Sequence, residues 1–215
     1  MSDTYAPPDL PLEIIHADHQ VLVVEKPHGL LSVPGKGAHL ADCLLARVQA
    51  VYPDALLVHR LDRDTSGVMV FALTAHAQRH LGLQFENRQV RKTYVARVWS
   101  KMLEKTGTVE LPLTVDWPNR PRQMVDFENG RAAVTDWRVV RSSDTESRVR
   151  LYPKTGRSHQ LRVHMKEIGH PILGDPFYAE GPARRFDRLM LHAENLRFRH
   201  PDGGVGVSYS AKVAF

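Results

Sequence analysis

The sequence predicts an α+β fold with a mainly antiparallel or mixed central sheet flanked by helices, and three observations predict it. Strand-like apolar runs outnumber helical patterns along the 215 residues. Several of those runs are joined by connections too short to hold the crossover helix that a parallel pair requires. The glycine fingerprints that open a doubly wound nucleotide-binding sheet, GxGxxG and GxxxxGK[ST], occur nowhere in the chain.

Taken in order, residues 1–12 carry Pro7, Pro8 and Pro11 with little periodicity and read as an extended arm. The remainder, 13–215, is expected to form one domain. Residues 21–25, VLVVE, form a β-branched run closed by Lys26-Pro27, and the Gly/Pro-rich stretch 27–37 reads as a loop. Leu40, Leu44, Leu45, Val48 and Val51 recur at helical spacing and predict a helix over 40–51, ended by Pro53. Val68 to Leu73 is a continuous apolar run of strand length. Thr74 can cap a helix whose Ala77, Leu81 and Phe85 share one face, and TYVARVW at 93–99 alternates as a strand. Further strands are expected at 108–115, 132–140, 147–152, 189–199 and 205–214. A last helix is expected to begin at Ser158, with Leu161, Met165 and Ile168 on one face and Gly169 past its end.

Composition narrows the function. The 29 Lys+Arg against 24 Asp+Glu give a formal net charge of +5, and 21 of the basic residues are arginines. The planar arginine fork suits phosphate and base-edge contacts, so the balance favours a polyanionic partner. No run of about 18 apolar residues is present, and MSDTYAPPDLPLE lacks the features of a signal peptide, so a soluble, cytoplasmic protein is expected. Cys43, the lone cysteine, is expected to be a small buried hydrophobe.

Common chemistries fall away in turn. PGKGAH at 34–39 has the wrong spacing for a phosphate cradle. No HExxH is present, and His159 and His164 are five apart on different helical faces, so no metal is expected. GxSxG is absent, Lys154-Thr155-Gly156 has no SxxK partner, and Asp64-Thr65-Ser66-Gly67 has neither the spacing nor the second copy of an aspartic-protease turn.

What remains is a set of charged and aromatic segments. In His59-Arg60-Leu61-Asp62-Arg63-Asp64-Thr65-Ser66-Gly67, cations crowd Asp62 and would hold its carboxylate ionised, ready to act as nucleophile or base. Tyr94 follows Arg91 and Lys92 on a strand, an arrangement that suits stacking on an extruded base. KTGRSHQLRVH at 154–164 places Arg157, His159 and Arg162 at a helix start, where anions bind. DWPNRPRQ at 116–123 sets Trp117, Arg120 and Arg122 beside two prolines that stiffen the loop, as suits a shaped RNA surface.

Together, HRLDRDTSG, RKTYVARVW, GRSHQLRVH and HPILGDPFY (170–178) resemble the RluA-type pseudouridine synthases, in that family's order, from about residue 13 to the C-terminus. The resemblance implies a pseudouridine synthase fold with a catalytic cleft across the sheet, and isomerisation of uridine in RNA without metal or redox cofactor. Asp62 then matches the essential aspartate, Tyr94 the active-site tyrosine, Arg162 the arginine that pairs with that aspartate, and Arg60 an arginine implicated in base displacement. His59, Trp117, Arg120, Arg122, Arg157 and His159 are candidate RNA contacts, and Asp64 is expected to order the loop. The WPNRPRQ tract and the short length, with 13–215 as the catalytic domain and no N-terminal S4 RNA-binding domain, are similar to the dual-specificity members, which implies 23S rRNA and a tRNA anticodon stem-loop as partners of a monomeric enzyme. An RNA-binding factor without chemistry is the competing reading, and the intact Asp62, Tyr94 and Arg162 set argues against it.

Overall fold

The structure, a computed structural model, describes residues 5–215. The first residues of the expected arm, 1–4, lie outside the described residues. The chain divides into two compact units, 1–92 with 193–214, and 93–192 with 215.

The first unit opens with the arm laid on the body: the Tyr5 hydroxyl donates to the Asp42 carbonyl oxygen at 2.8 Å and accepts from the Leu31 N–H at 3.1 Å. Strand β1 (Glu13–Ala17), which no strong sequence pattern announces, pairs antiparallel with β2 (Val21–Lys26). Helix α1 (Leu44–Val51) starts four residues later than its periodicity implies. Ala38–Leu40 form a separate 3-10 turn, and Cys43 caps the helix, its Sγ accepting from the Ala46 N–H at 3.4 Å. Cys43 is buried, as its composition class predicts. After the short β3 (Leu56–Leu57) comes β4 (Ser66–Ala72), all seven residues of which are buried, matching its unbroken apolar run. Thr74 caps α2 (Ala75–Glu86), its hydroxyl oxygen accepting from the Ala77 N–H at 3.0 Å.

The second unit holds most of β5 (Arg91–Trp99), then β6 (Thr106–Glu110) and β7 (Leu113–Val115). The single strand expected over 108–115 is thus two, parted at Leu111-Pro112, because proline has no N–H to give a ladder. β7 turns back through the 116–122 loop to β8 (Gln123–Val125) in an antiparallel hairpin. β9 (Val134–Ser142) and β10 (Glu146–Pro153) follow. Helix α3 (Gln160–Glu167) begins two residues after Ser158, since His159 adopts the left-handed conformation (φ 52°) as its cap. Gly169, past its end, takes φ +84° as expected. The chain then returns to the first unit through β11 (Leu191–Arg199), which pairs antiparallel with β12 (Gly206–Ser210).

Strand order in the first unit is β1-β2-β4-β11, with β3 also on β4, and in the second it is β5-β10-β9-β6. The pairings β1·β2, β2·β4, β5·β10, β10·β9 and β9·β6 are antiparallel, and the fold is α+β as the sequence predicts. In the second unit Ala96, Val98, Trp137, Val149 and Leu151 meet Leu161 and Met165 of α3 in one apolar cluster.

Candidate active site

The HRLDRDTSG segment connects β3 to β4, and its backbone is gripped on both sides of Asp62. On one side Leu61 is buried, and the Ser32 hydroxyl donates to the Leu61 carbonyl at 2.7 Å while accepting the Leu61 N–H at 3.1 Å. On the other, Lys26 Nζ donates to the Arg63 carbonyl at 2.7 Å and the Gly29 N–H to the same oxygen at 3.1 Å. Lys26 also donates to the carbonyls of Pro27 at 2.9 Å and Leu30 at 2.6 Å. A fully buried lysine is tolerated only when its donors are met in this way. Asp62 therefore opens a turn, closed by its own carbonyl and the Thr65 N–H at 3.2 Å, that the 26–32 loop immobilises. Pre-set geometry of this kind is what a reacting carboxylate requires.

The neighbours of Asp62 divide the remaining work. Asp64 is buried and takes the Arg63 guanidinium through Oδ1 at 2.8 Å and Oδ2 at 3.2 Å. His28 Nδ1 lies 2.8 Å from the Asp64 carbonyl oxygen. Arg60 is exposed. His59 stacks on Phe85, ring centroids 4.7 Å apart, and its Nε2 accepts from the Val70 N–H at 3.1 Å. Burial, and then the charge of Lys92, push its imidazole down to about 3, so the ring is neutral and engaged with the fold. Burial also pushes Lys92 down, to about 8. Gly67 ends the motif with φ +118°, and a Cβ there would lie 2.3 Å from the Ala193 carbonyl oxygen, so only glycine fits.

In the second unit, Tyr94 sits on β5 opposite Leu151 of β10, half-buried against the apolar cluster. Arg162 on α3 is 2 % exposed and forks onto the wholly buried Asp175, Nε to Oδ2 at 2.7 Å and Nη2 to Oδ1 at 2.8 Å. Asp175 is the acid of HPILGDPFY, and its Oδ1 also accepts from the Phe177 and Tyr178 N–H groups at 2.9 and 3.1 Å. The Arg162 guanidinium carbon lies 5.2 Å from each of the Phe177 and Tyr178 ring centroids. Two motifs distant in sequence thus form one rigid arginine mount.

The polar groups of α3 are fully engaged around that mount. Gln160 accepts from Thr155 Oγ1 at 2.7 Å and from the Arg157 N–H at 3.0 Å, and donates to the Val134 carbonyl at 3.0 Å and Thr135 Oγ1 at 2.9 Å. His164 contacts the Leu111 carbonyl through Nε2 and Thr135 Oγ1 through Nδ1, each at 3.0 Å, and burial lowers its pKa. Donation to the carbonyl assigns the proton to Nε2. His159 Nδ1 meets the Tyr178 hydroxyl at 2.7 Å, and that hydroxyl accepts from the Gln123 N–H at 2.7 Å, tying α3 to the β7–β8 hairpin.

The hairpin loop carries the remaining predicted contacts. Trp117 is 69 % exposed, and the Arg120 guanidinium lies 3.2 Å from its ring centroid. Asp116 and Arg122 close the loop through the Asp116 N–H and the Arg122 carbonyl at 3.0 Å. Arg157 donates from Nε to the Ala132 carbonyl at 3.2 Å.

Asp62, Arg60 and His59 are neighbours in the first unit; Tyr94, Arg162, Arg157, His159, Trp117, Arg120 and Arg122 belong to the second, where Arg162, His159 and Tyr178 are assembled together. Sequence reasoning missed Lys26, Gly29, Ser32 and Asp175 as supporting residues. The only signal for the first three was KPHGLLS, a Gly/Pro-rich stretch indistinguishable from a plain loop.

The family described as RNA pseudouridylate synthase matches residues 20–167. The chain is 50% identical over 216 residues to "Dual-specificity RNA pseudouridine synthase RluA" of Escherichia coli K12, covering 99% of each chain. It is 48% identical to the protein of that name from Yersinia pestis, over 94% of this chain and 99% of the relative. Among solved structures, human RNA pseudouridylate synthase domain containing 1 superposes with TM-score 0.77 at 30% identity, over 94% of this chain and 83% of that one. Human RNA pseudouridylate synthase domain containing 4 does so with TM-score 0.76 at 26% identity, over 94% and 88%.

Proposed function

The chain belongs to the RNA pseudouridylate synthase family and isomerises uridine to pseudouridine in RNA, and from that premise we propose that its targets are of two kinds, 23S rRNA and a tRNA anticodon stem-loop. The observation that carries the second step is identity at half of all positions, over nearly the whole length, to relatives named as dual-specificity enzymes.

In the reaction the C1′–N1 bond of uridine breaks, the uracil turns, C5 bonds to C1′, and the C5 hydrogen is lost as N1 gains one. Asp62 acts on the sugar as an ionised carboxylate, either bonding to C1′ or taking a sugar proton. Its clamped backbone supports that role, because a carboxylate held in place loses little freedom on reaching the reacting atom. Tyr94 stacks on the extruded uracil, and Arg60, exposed beside Asp62, fills the stack that the base leaves. Arg162 takes the part of the arginine that serves the family's aspartate, and its bidentate hold by Asp175 supports a fixed position. Trp117 with Arg120, Arg122, Arg157 and His159 contact the RNA around the target. The enzyme works as a cytoplasmic monomer and requires neither metal nor cofactor.

Tritium release from RNA carrying C5-tritiated uridine, isolated from a strain lacking the enzyme, tests the reading. Release from both the rRNA and the tRNA fraction is expected. Release from one fraction alone overturns the double specificity, and release from neither overturns the activity.

A further inference from the structure

The outward face of the second unit's sheet carries a row of arginines that the reaction does not use. Arg148 on β10 lies opposite Arg97 on β5 and Arg141 on β9, and Arg150, two residues on, lies opposite Arg138. The alternate positions Ala96, Trp137, Val149 and Leu151 are in the apolar cluster, so the pleat directs these arginines away from it.

The placement of Arg141 depends on a defect in β9. Arg138 and Arg141 are three apart, and a regular strand would send them to opposite faces. The register slips here: Val149 pairs with Val139 but Arg148 with Arg141, leaving Val140 as an extra residue. This bulge returns Arg141 to the arginine-bearing face.

The charge on that face is not internally cancelled. Glu146 takes Arg97 at 2.6 Å, Asp136 takes Lys154 at 2.8 Å and Asp144 takes Lys101 at 3.3 Å. Among the described residues, Arg138, Arg141 and Arg148 form no ion pair. Beside them an open cleft of about 280 Å³ is lined by Arg97, Arg141, Arg148, Glu146, Ser143 and Phe215. The guanidinium carbons of Arg148 and Arg188 lie 5.9 and 5.4 Å from the Phe215 ring centroid.

We infer that this face is a second RNA-docking surface, which grips the phosphate backbone of RNA flanking the target stem-loop. Neighbouring strands about 4.8 Å apart set Arg148 opposite Arg141, with Arg138 further along β9, so three guanidiniums without an ion pair are spread over a patch suited to successive phosphates rather than one small anion. Arginine forks bind phosphate. The inference rests on the reading of the chain as an RNA-modifying enzyme, but it concerns affinity and not chemistry.

The test uses the full chain with Arg138→Gln/Arg141→Gln, both exposed positions, and the triple variant that adds Arg148→Gln. Filter-binding Kd values are measured against salt for a minimal anticodon stem-loop and for the same stem-loop extended by a long duplex. For the extended RNA the triple variant should bind about tenfold more weakly at low salt, with a salt slope shallower by about 0.7 to 0.9 for each phosphate that is no longer neutralised. Affinity and turnover on the minimal stem-loop should stay within twofold. Unchanged binding of the extended RNA overturns the inference, as does an equal loss on both RNAs. A loss in the control Arg79→Gln/Arg88→Gln, on and after α2, equal to that of the charge-matched double variant Arg138→Gln/Arg141→Gln overturns it too. Binding is read without turnover, so failure of the proposed activity would show separately as absent tritium release from wild type.

Discussion

Lys26 Nζ lies 2.7 Å from the carbonyl oxygen of Arg63, so a wholly buried lysine at the end of β2 holds the residue that follows Asp62. Ser32 holds the residue that precedes it. The backbone of the loop that bears Asp62 is thereby tied to the first unit on both sides of that residue.

Lys26→Met keeps the stem and removes the donors, leaving the carbonyls of Pro27, Leu30 and Arg63 without this partner. Urea unfolding should show a loss of about 3 kcal/mol, since each unmet buried acceptor costs about 1 to 3 kcal/mol. The variant that does fold should lose kcat more than RNA affinity. Unchanged stability would remove Lys26 from the support of the loop.

Asp62→Asn retains the shape of the side chain and its backbone clamps but not the charge. Tritium release should vanish while RNA binding changes by only a few fold. Retained turnover would disprove the role assigned to Asp62.

Asp175→Asn breaks the buried fork that holds Arg162. Removing one partner of a buried pair costs about 3 to 5 kcal/mol, whereas replacing both by apolar residues is often near neutral. Thermal melts should therefore place Arg162→Met/Asp175→Leu above Asp175→Asn in stability, yet with no turnover. A double variant that still isomerises uridine would show the arginine mount to be structural only.

Acid should destabilise the fold through its neutral histidines. The His59 imidazole is held at about 3 against an ordinary 6.5, so below 6.5 the unfolded chain takes up a proton that the folded chain refuses. Stability from this group is complete above 6.5 and falls as pH drops toward 3; His164 is shifted in the same direction. Urea midpoints followed from about pH 7 down to about pH 4 should decline, and less steeply in His59→Phe. Parallel slopes in the two proteins would exclude His59 as a source.

Trp117→Ala removes an exposed ring with Arg120 upon it. Because nothing buried is removed, the melting temperature should not move. Loss of a base-stacking aromatic corresponds to about 1 to 3 kcal/mol, so kcat/KM on RNA should fall roughly fivefold to a hundredfold. Wild-type kcat/KM would rule out an RNA contact at this loop.

Elements with a strong local period were legible beforehand: β4 by its unbroken apolar run, α2 by Thr74 and its 77–81–85 stripe, β5 by alternation. β1 and β8 were not, because short edge strands draw their pairing from a neighbour rather than from their own pattern. The strand expected over 108–115 failed at Pro112 because an apolar count does not register a missing N–H. Ser158 looked like a helix start, but His159 in a left-handed cap moved it.

The sequence by itself determined the family and the α+β class and pointed to the loop proposed to react, because these reside in contiguous residues whose chemistry and spacing are readable in one dimension. Only the tertiary structure decided what holds them. Lys26 reaches Arg63 and Ser32 reaches Leu61 across 37 and 29 residues. Asp175 fixes Arg162, and a single bulged residue decides which face Arg141 joins. Those relations follow from strand register and side-chain direction, and both are set by where the rest of the chain packs.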